Sequence, residues 1–272
     1  MKSIIAEAIR LTTEPVALLL TDDRPDGALQ FEPGKWGCAM AMFGAAATKG
    51  KSAVFDRETY GCFGGGLGLG FGNAYERFPG GIDGFCGFLA DGNEKTERGR
   101  AIGEGMKAAG AREAFVHHFM HGERFKKSPE LVRSFVDAQP VTEIPTRYAA
   151  FVPLSALDLA EGEPESVTFL VTPDQLSALT VLANYDRPGL ENVAIPFVAG
   201  CQAIGIHAYR EARSAQPRCI AGLVDLSARQ YLRGQAGSDR LTFTMPYRRF
   251  QEMEANVAGS FLEQEPWLTL RG

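Results

Sequence analysis

Apolar positions along the chain fall into short runs separated by turn residues, and the runs switch between two periods. Ile4, Ile5, Ala8, Ile9 and Leu11 follow a helical repeat, which predicts a short amphipathic helix over 3–11. The run at 15–21 is continuous and apolar, as a buried strand would be, and Asp22 to Gly27 is a turn cluster. A segment rich in Ala and Met predicts a tightly packed helix over 36–47, ended by Gly50, with a short strand at 52–55 after it. The chain from 95 to 136 is more charged and mainly helical in pattern. Strands are then predicted at 147–152, 167–172, 192–195, 219–223 and 241–245. Helices are predicted at 173–184, from 199, at 227–233 and at 247–257. This alternation predicts an α/β fold, with a mixed α+β arrangement still open: one large domain over 1–272, a mixed sheet flanked by helices. The Pro-rich stretch 140–165 is the best linker candidate, and nothing in it forces a boundary.

Composition narrows the function. The chain has 272 residues, 45% hydrophobic and 22% charged, enough for a sizeable core. Its formal net charge of −5 disfavours a nucleic-acid binder. Apolar runs all fall short of the ~18 residues that would suggest a membrane span. Glu7, Arg10 and Glu14 interrupt the N-terminal segment before an export signal forms, so the expected location is cytoplasmic.

The stretch from Tyr60 to Gly72 breaks every pattern. Seven of its thirteen residues are glycine, and Phe63, Leu67, Leu69 and Phe71 are too apolar for a flexible linker. It reads as the start of a long, ordered, partly buried Gly-rich loop, with Gly64, Gly65, Gly66 and Gly68 offering bare backbone to a ligand. A dinucleotide fingerprint does not fit in any register, because Leu69, Phe71 or Asn73 falls where the third glycine is needed. Ala45 to Ser52 loosely resembles a phosphate loop, but the order is helix then strand, the reverse of what that mechanism needs. His117 and His121 share a helix face at a metal-competent spacing, without the glutamate of a zinc protease motif, and a solvated helix end is the plainer reading.

Five cysteines remain to be explained, at 38, 62, 86, 201 and 219. None forms a Cys-x-x-Cys pair. Cys38, Cys62 and Cys201 each follow a glycine, and each falls at a predicted element junction. A helix N-terminus at Cys38 would lower its thiol pKa. Three convergent thiolates would suit an iron–sulfur cluster, zinc or copper(I), and the glycines would then allow close backbone approach. The competing reading is three small buried hydrophobes. Cys86, between Phe85 and Phe88, reads as core, and Cys219 begins an apolar strand. Asp225 suits a helix N-cap, with Arg229 four residues on either paired back to it or free to hold an anion.

These motifs together resemble the domain-of-unknown-function 169 family of bacterial and archaeal proteins, frequent in anaerobes. The resemblance runs through Cys38 and its helix, Gly50-Lys51, Phe55-Asp-Arg57 and Gly61 to Gly72. It continues through Phe78 to Gly81, Phe88 to Asn93, His121 to Arg124, Asp174 to Ala178, Ala199 to Gln202, Gly222 to Arg229 and the Phe243 to Phe261 tail. It implies that Cys38, Cys62 and Cys201 belong to the family's motifs and that Cys86 is incidental; it implies no activity. Three cysteines are one short of a four-thiolate cluster, so Cys219 or a non-cysteine group would complete it.

Three functions stay open. The first is a cluster protein with a redox or accessory role, ligated by Cys38, Cys62 and Cys201. The second is a metal-free binder of a small molecule or anion under the Gly-rich loop, anchored by Arg229 or Lys51. The third is a thiol-based soft-metal sensor. The expected partners are a small molecule or a metal, with a homodimer allowed and neither nucleic acid nor membrane. Whether the chain is an enzyme turns on an open coordination position.

Overall fold

The computed structural model describes residues 1–271, which form two compact units: 1–72 with 142 onward, and 73–141. The first holds a seven-stranded sheet in the order β2-β3-β1-β4-β7-β6-β5. The strands are β1 (Val16–Thr21), β2 (Ala53–Phe55), β3 (Tyr148–Pro153), β4 (Ser166–Val171), β5 (Val193–Ala194), β6 (Cys219–Gly222) and β7 (Leu241–Pro246). Every pairing is antiparallel except β5 with β6, so the sheet is mixed.

Both faces of the sheet are buried, and the two-residue period of each strand sorts its side chains between them. In β1, Ala17 and Leu19 point to one face, Val16 and Leu18 to the other. In β3, Ala150 and Val152 join the first face, Ala149 and Phe151 the second. The first face is covered by the helices Pro173–Tyr185 and Tyr247–Ala255, through Leu179, Leu182, Phe250 and Met253. The second is covered by the helices Ala39–Lys49 and Leu226–Ala236, together with the segment from Gly200. There Phe43, Phe55 and Phe151 are fully buried, with Phe151 edge-on to each of the others at centroid distances of 5.8 and 5.3 Å. Burying such a ring contributes roughly 1.5–3 kcal/mol.

The second unit carries four helices: Gly81–Leu89, Glu97–Ala108, Glu113–His121 and Pro129–Asp137. Its interior is aromatic. Phe78 lies within 5.2–6.3 Å of Phe85, Phe88, Phe115 and Phe119, centroid to centroid. The Asn93 amide ties the packing together by donating to the carbonyls of Gly84 and Phe119 at 2.9 and 3.0 Å.

The expected loop at 60–72 is ordered and largely buried, but it is helical over Phe63–Gly68. Glycine is a poor helix former, about 0.8–1 kcal/mol worse than alanine per residue. The reason for it here is proximity of backbone to backbone. A Cβ on Gly68 would lie 2.8 Å from the Gln202 nitrogen, and one on Gly65 would lie 2.6 Å from the Tyr60 carbonyl oxygen. The stretch 140–165 is more than a linker: the chain re-enters the first unit at Thr142, and 148–153 is β3, an interior strand paired between β2 and β1.

Candidate functional site

Four helix starts on one face of the sheet carry the chemistry. Cys38 is the N-cap of the 39–49 helix, in extended backbone. Cys62 is the N-cap of the 63–68 helix, and its sulfur accepts the Gly65 N–H at 3.3 Å. Cys201 is the second residue of the helix that begins at Gly200, and its thiol donates to the Gly64 carbonyl oxygen at 3.3 Å. Asp225 is the N-cap of the 226–236 helix. One carboxylate oxygen accepts the Ala228 N–H at 2.9 Å, and the other accepts the Gly200 N–H at 2.8 Å. A single carboxylate thus caps two helices and fixes the Cys201 turn beside its own.

Burial dominates the electrostatics of these groups. Burial above all, with charge on Cys62 and Asp225 adding to it, pushes the Cys38 thiol up to about 12. Burial likewise raises Cys62, and it raises Cys201 well above the ordinary thiol range, where Cys62, Cys38 and Asp225 all add to it. Burial also raises Asp225. The lowered pKa expected for Cys38 is therefore not found. The Ala41 and Met40 amides do favour its thiolate, but desolvation outweighs them. All three thiols are protonated at neutral pH. Among the described residues no group of three or more His, Cys, Asp or Glu side chains is arranged to hold a metal ion.

The neighbouring glycines serve this arrangement. Gly64 supplies the carbonyl for Cys201, Gly65 supplies the amide for Cys62, and Gly66 donates to the Cys62 carbonyl at 2.9 Å. Gly68 lets the backbone of Cys201 come close. After Cys201 the helix widens into a π turn over Ala203–His207 before resuming at Ala208, a feature that often marks functional positions.

Other candidates lie elsewhere. Cys219 packs on the opposite face of the sheet, its thiol 3.6 Å from the Met253 sulfur. Cys86 lies in the second unit. The Arg229 guanidinium is occupied by three carbonyls, of Leu223, Arg240 and Ser238, at 3.2, 3.0 and 2.6 Å, instead of pairing with Asp225. Lys51 is exposed. His117 and His121 sit with ring centroids 4.6 Å apart, and His121 Nδ1 lies 3.2 Å from Glu94. Sequence reasoning identified Asp225 as a cap but missed its place beside the cysteines. No local pattern marks a carboxylate that caps a second helix 25 residues away.

No curated protein and no solved structure matches the chain. A family model matches residues 4–256, nearly the whole length, and the chain belongs to that family, domain of unknown function 169, described as uncharacterised ArCR.

Proposed function

We propose that the chain binds an iron–sulfur cluster through Cys38, Cys62 and Cys201, with a redox or accessory role in the cytoplasm. The observation behind this reading is the gathering of three thiols and one carboxylate at four helix starts. The donor set is soft, which suits iron–sulfur chemistry. A cluster of several irons spreads its ligands over its own corners, so its cysteines need not meet at one ion-sized point. Asp225 is the non-cysteine candidate for a fourth position, since Cys219 lies across the sheet. A cluster bound there would supply one-electron chemistry.

This chain's own part is electrostatic. Buried thiols that stay protonated would have to release their protons to solvent before they could ligate a cluster. Backbone N–H groups at the helix starts, such as Gly65 on Cys62, then steady the resulting negative sulfur.

Anaerobic purification followed by iron and acid-labile sulfide analysis and a visible absorption spectrum tests the reading. Iron and sulfide in the wild-type chain, lost in C38S, C62S and C201S but kept in C86S, are expected. A colourless protein without iron or sulfide overturns it. If zinc or trivalent arsenic then protects the three thiols from alkylation, the soft-metal sensor takes its place.

A further inference from the structure

Along the same carboxylate-capped helix lies a second feature that the cysteine site does not explain. After β6 the chain turns through Leu223, which holds the left-handed conformation at φ 60°, uncommon for a residue with a branched side chain. The 226–236 helix then runs out, and residues 237–240 lead back into β7. These segments enclose a cavity of about 310 Å³. Three arginines line it, Arg229, Arg233 and Arg240, and its lining includes no acidic residue. Leu223, Leu226 and Leu232 give it an apolar side.

The three arginines differ in what they already hold. Arg229 is spent on the Leu223, Ser238 and Arg240 carbonyls, so it braces the walls. Arg233 is exposed, in the last turn of the helix. Arg240 is the unusual one. Its Nε and Nη1 are buried, and neither has a hydrogen-bond partner among the described residues. Asp239 Oδ1 lies 3.7 Å from Nε, beyond hydrogen-bonding distance, and that carboxylate is mostly exposed. Buried donors without acceptors are costly, and a guanidinium cannot shed its charge to escape the cost. Arg240 also lines the cavity, so an anion there, met by a small shift of the guanidinium, would supply both the acceptors and the opposite charge.

We infer that this cavity binds the oxyanion of a small organic molecule, a carboxylate or a phosphate ester. Arg240 turns its unpaired donors to the anion, Arg233 supplies the flanking charge and the three leucines meet the apolar part of the ligand. The inference is independent of the cluster reading, because no cysteine takes part. It also reassigns the anion-holding role considered for Arg229 to the arginine that Arg229 helps to position.

The test uses the full chain in phosphate-free buffer, titrated with inorganic phosphate or with butyrate at constant ionic strength set by sodium chloride. Thermal midpoint and titration calorimetry are the readouts. Either probe is expected to raise the midpoint above the chloride control. A response to phosphate alone assigns a phosphate ester, and a response to butyrate alone assigns a carboxylate. R240M is expected to bind at least tenfold more weakly, and its unliganded midpoint should equal or exceed that of the wild type, because the orphan donors are gone. R240K, which keeps the charge and loses the planar group, should bind with reduced affinity and covers the case in which R240M fails to fold. R233A should weaken binding severalfold. The inference is overturned if neither probe acts beyond chloride, or if R240M and R240K bind as the wild type does.

Discussion

Gly205 meets Gly68 at its backbone: a Cβ on Gly205 would lie 1.9 Å from the Gly68 carbonyl oxygen. The contact joins the Gly-rich helix to the π turn that follows Cys201. G205A must therefore push two main chains apart. It should destabilise the chain by about 2–4 kcal/mol in urea unfolding, at or above the usual cost of overpacking. Gly234 is the contrast. It lies in the 226–236 helix, with nothing within 4 Å of an added Cβ. G234A should stabilise by about 0.5–1 kcal/mol. Similar effects at the two positions would show that the close approach does not exist.

Loading of the cysteine site should depend steeply on pH. Cys38 titrates near 12 and Cys201 well above the ordinary thiol range, so binding must displace protons across the whole range from pH 6 to 9. Affinity should then rise with pH, by up to roughly tenfold per pH unit for each thiol deprotonated. Reconstitution under anaerobic conditions at several pH values, with iron and sulfide counted after gel filtration, measures this. Loading that is flat with pH would mean that the thiols are not the ligands.

Asp186 and Arg249 form a pair that stabilises the first face of the sheet. Arg249 is 1% exposed and donates to both Asp186 oxygens, to Glu252 and to the Ala183 carbonyl. Its hydrogen bonds hold the Asp186 carboxyl down at about 2, against an ordinary 3.8. A lowered folded-state pKa gives stability that is present above pH 3.8 and is lost as the pH falls toward 2. The amount is about 1–2 kcal/mol after discounting for the carboxylate's partial exposure. D186N leaves a buried guanidinium without its main partner and should cost about 3–5 kcal/mol at pH 7. Denaturant unfolding at pH 7 and pH 3 checks both statements.

Glu123 works in the opposite sense. Burial raises its carboxyl to about 7, with His118 Nδ1 3.3 Å away. An acid with a raised folded-state pKa binds more protons folded than unfolded between 4.5 and about 7, so stability falls as the pH rises through that window. E123Q removes the ionisation. It should match the wild type near pH 4.5 and exceed it at pH 8 by on the order of 1–3 kcal/mol. Hydrogen exchange in the helix Gly81–Leu89, compared at the two pH values, reads the effect within the second unit. A constant difference between the proteins across the window would exclude it.

Much of this could be read from residue order because it is local. Each of Cys38, Cys62 and Cys201 follows a glycine at an element start, and the apolar runs locate all seven strands to within about two residues. What escaped depends on distant partners. The helix at 63–68 defies glycine's own preference, because the segment at 200–205 needs its missing side chains. From residue order Cys219 is one of two candidates for a fourth ligand, because its sheet face is fixed by pairing with β5 and β7, which sequence does not reveal. Sequence leaves Arg229 either paired back to Asp225 or free to hold an anion, because the carbonyls that hold it come from the two turns flanking its helix.

The second unit enters and leaves the first through a clasp. Gly72 N–H donates to the Thr142 carbonyl at 3.1 Å, Ile144 N–H donates to Gly70 at 2.8 Å, and Phe71 bridges Glu143. To the sheet, everything from 73 to 141 is one loop whose ends are already tied. Loop closure costs only about 0.6 kcal/mol for each doubling of length, so this insertion charges its host roughly 2.5 kcal/mol more than a four-residue turn would. The clasp makes the segment excisable. A chain spliced from Gly72 to Thr142 through a short turn should keep its seven strands and the arrangement of the cysteines at 38, 62 and 201.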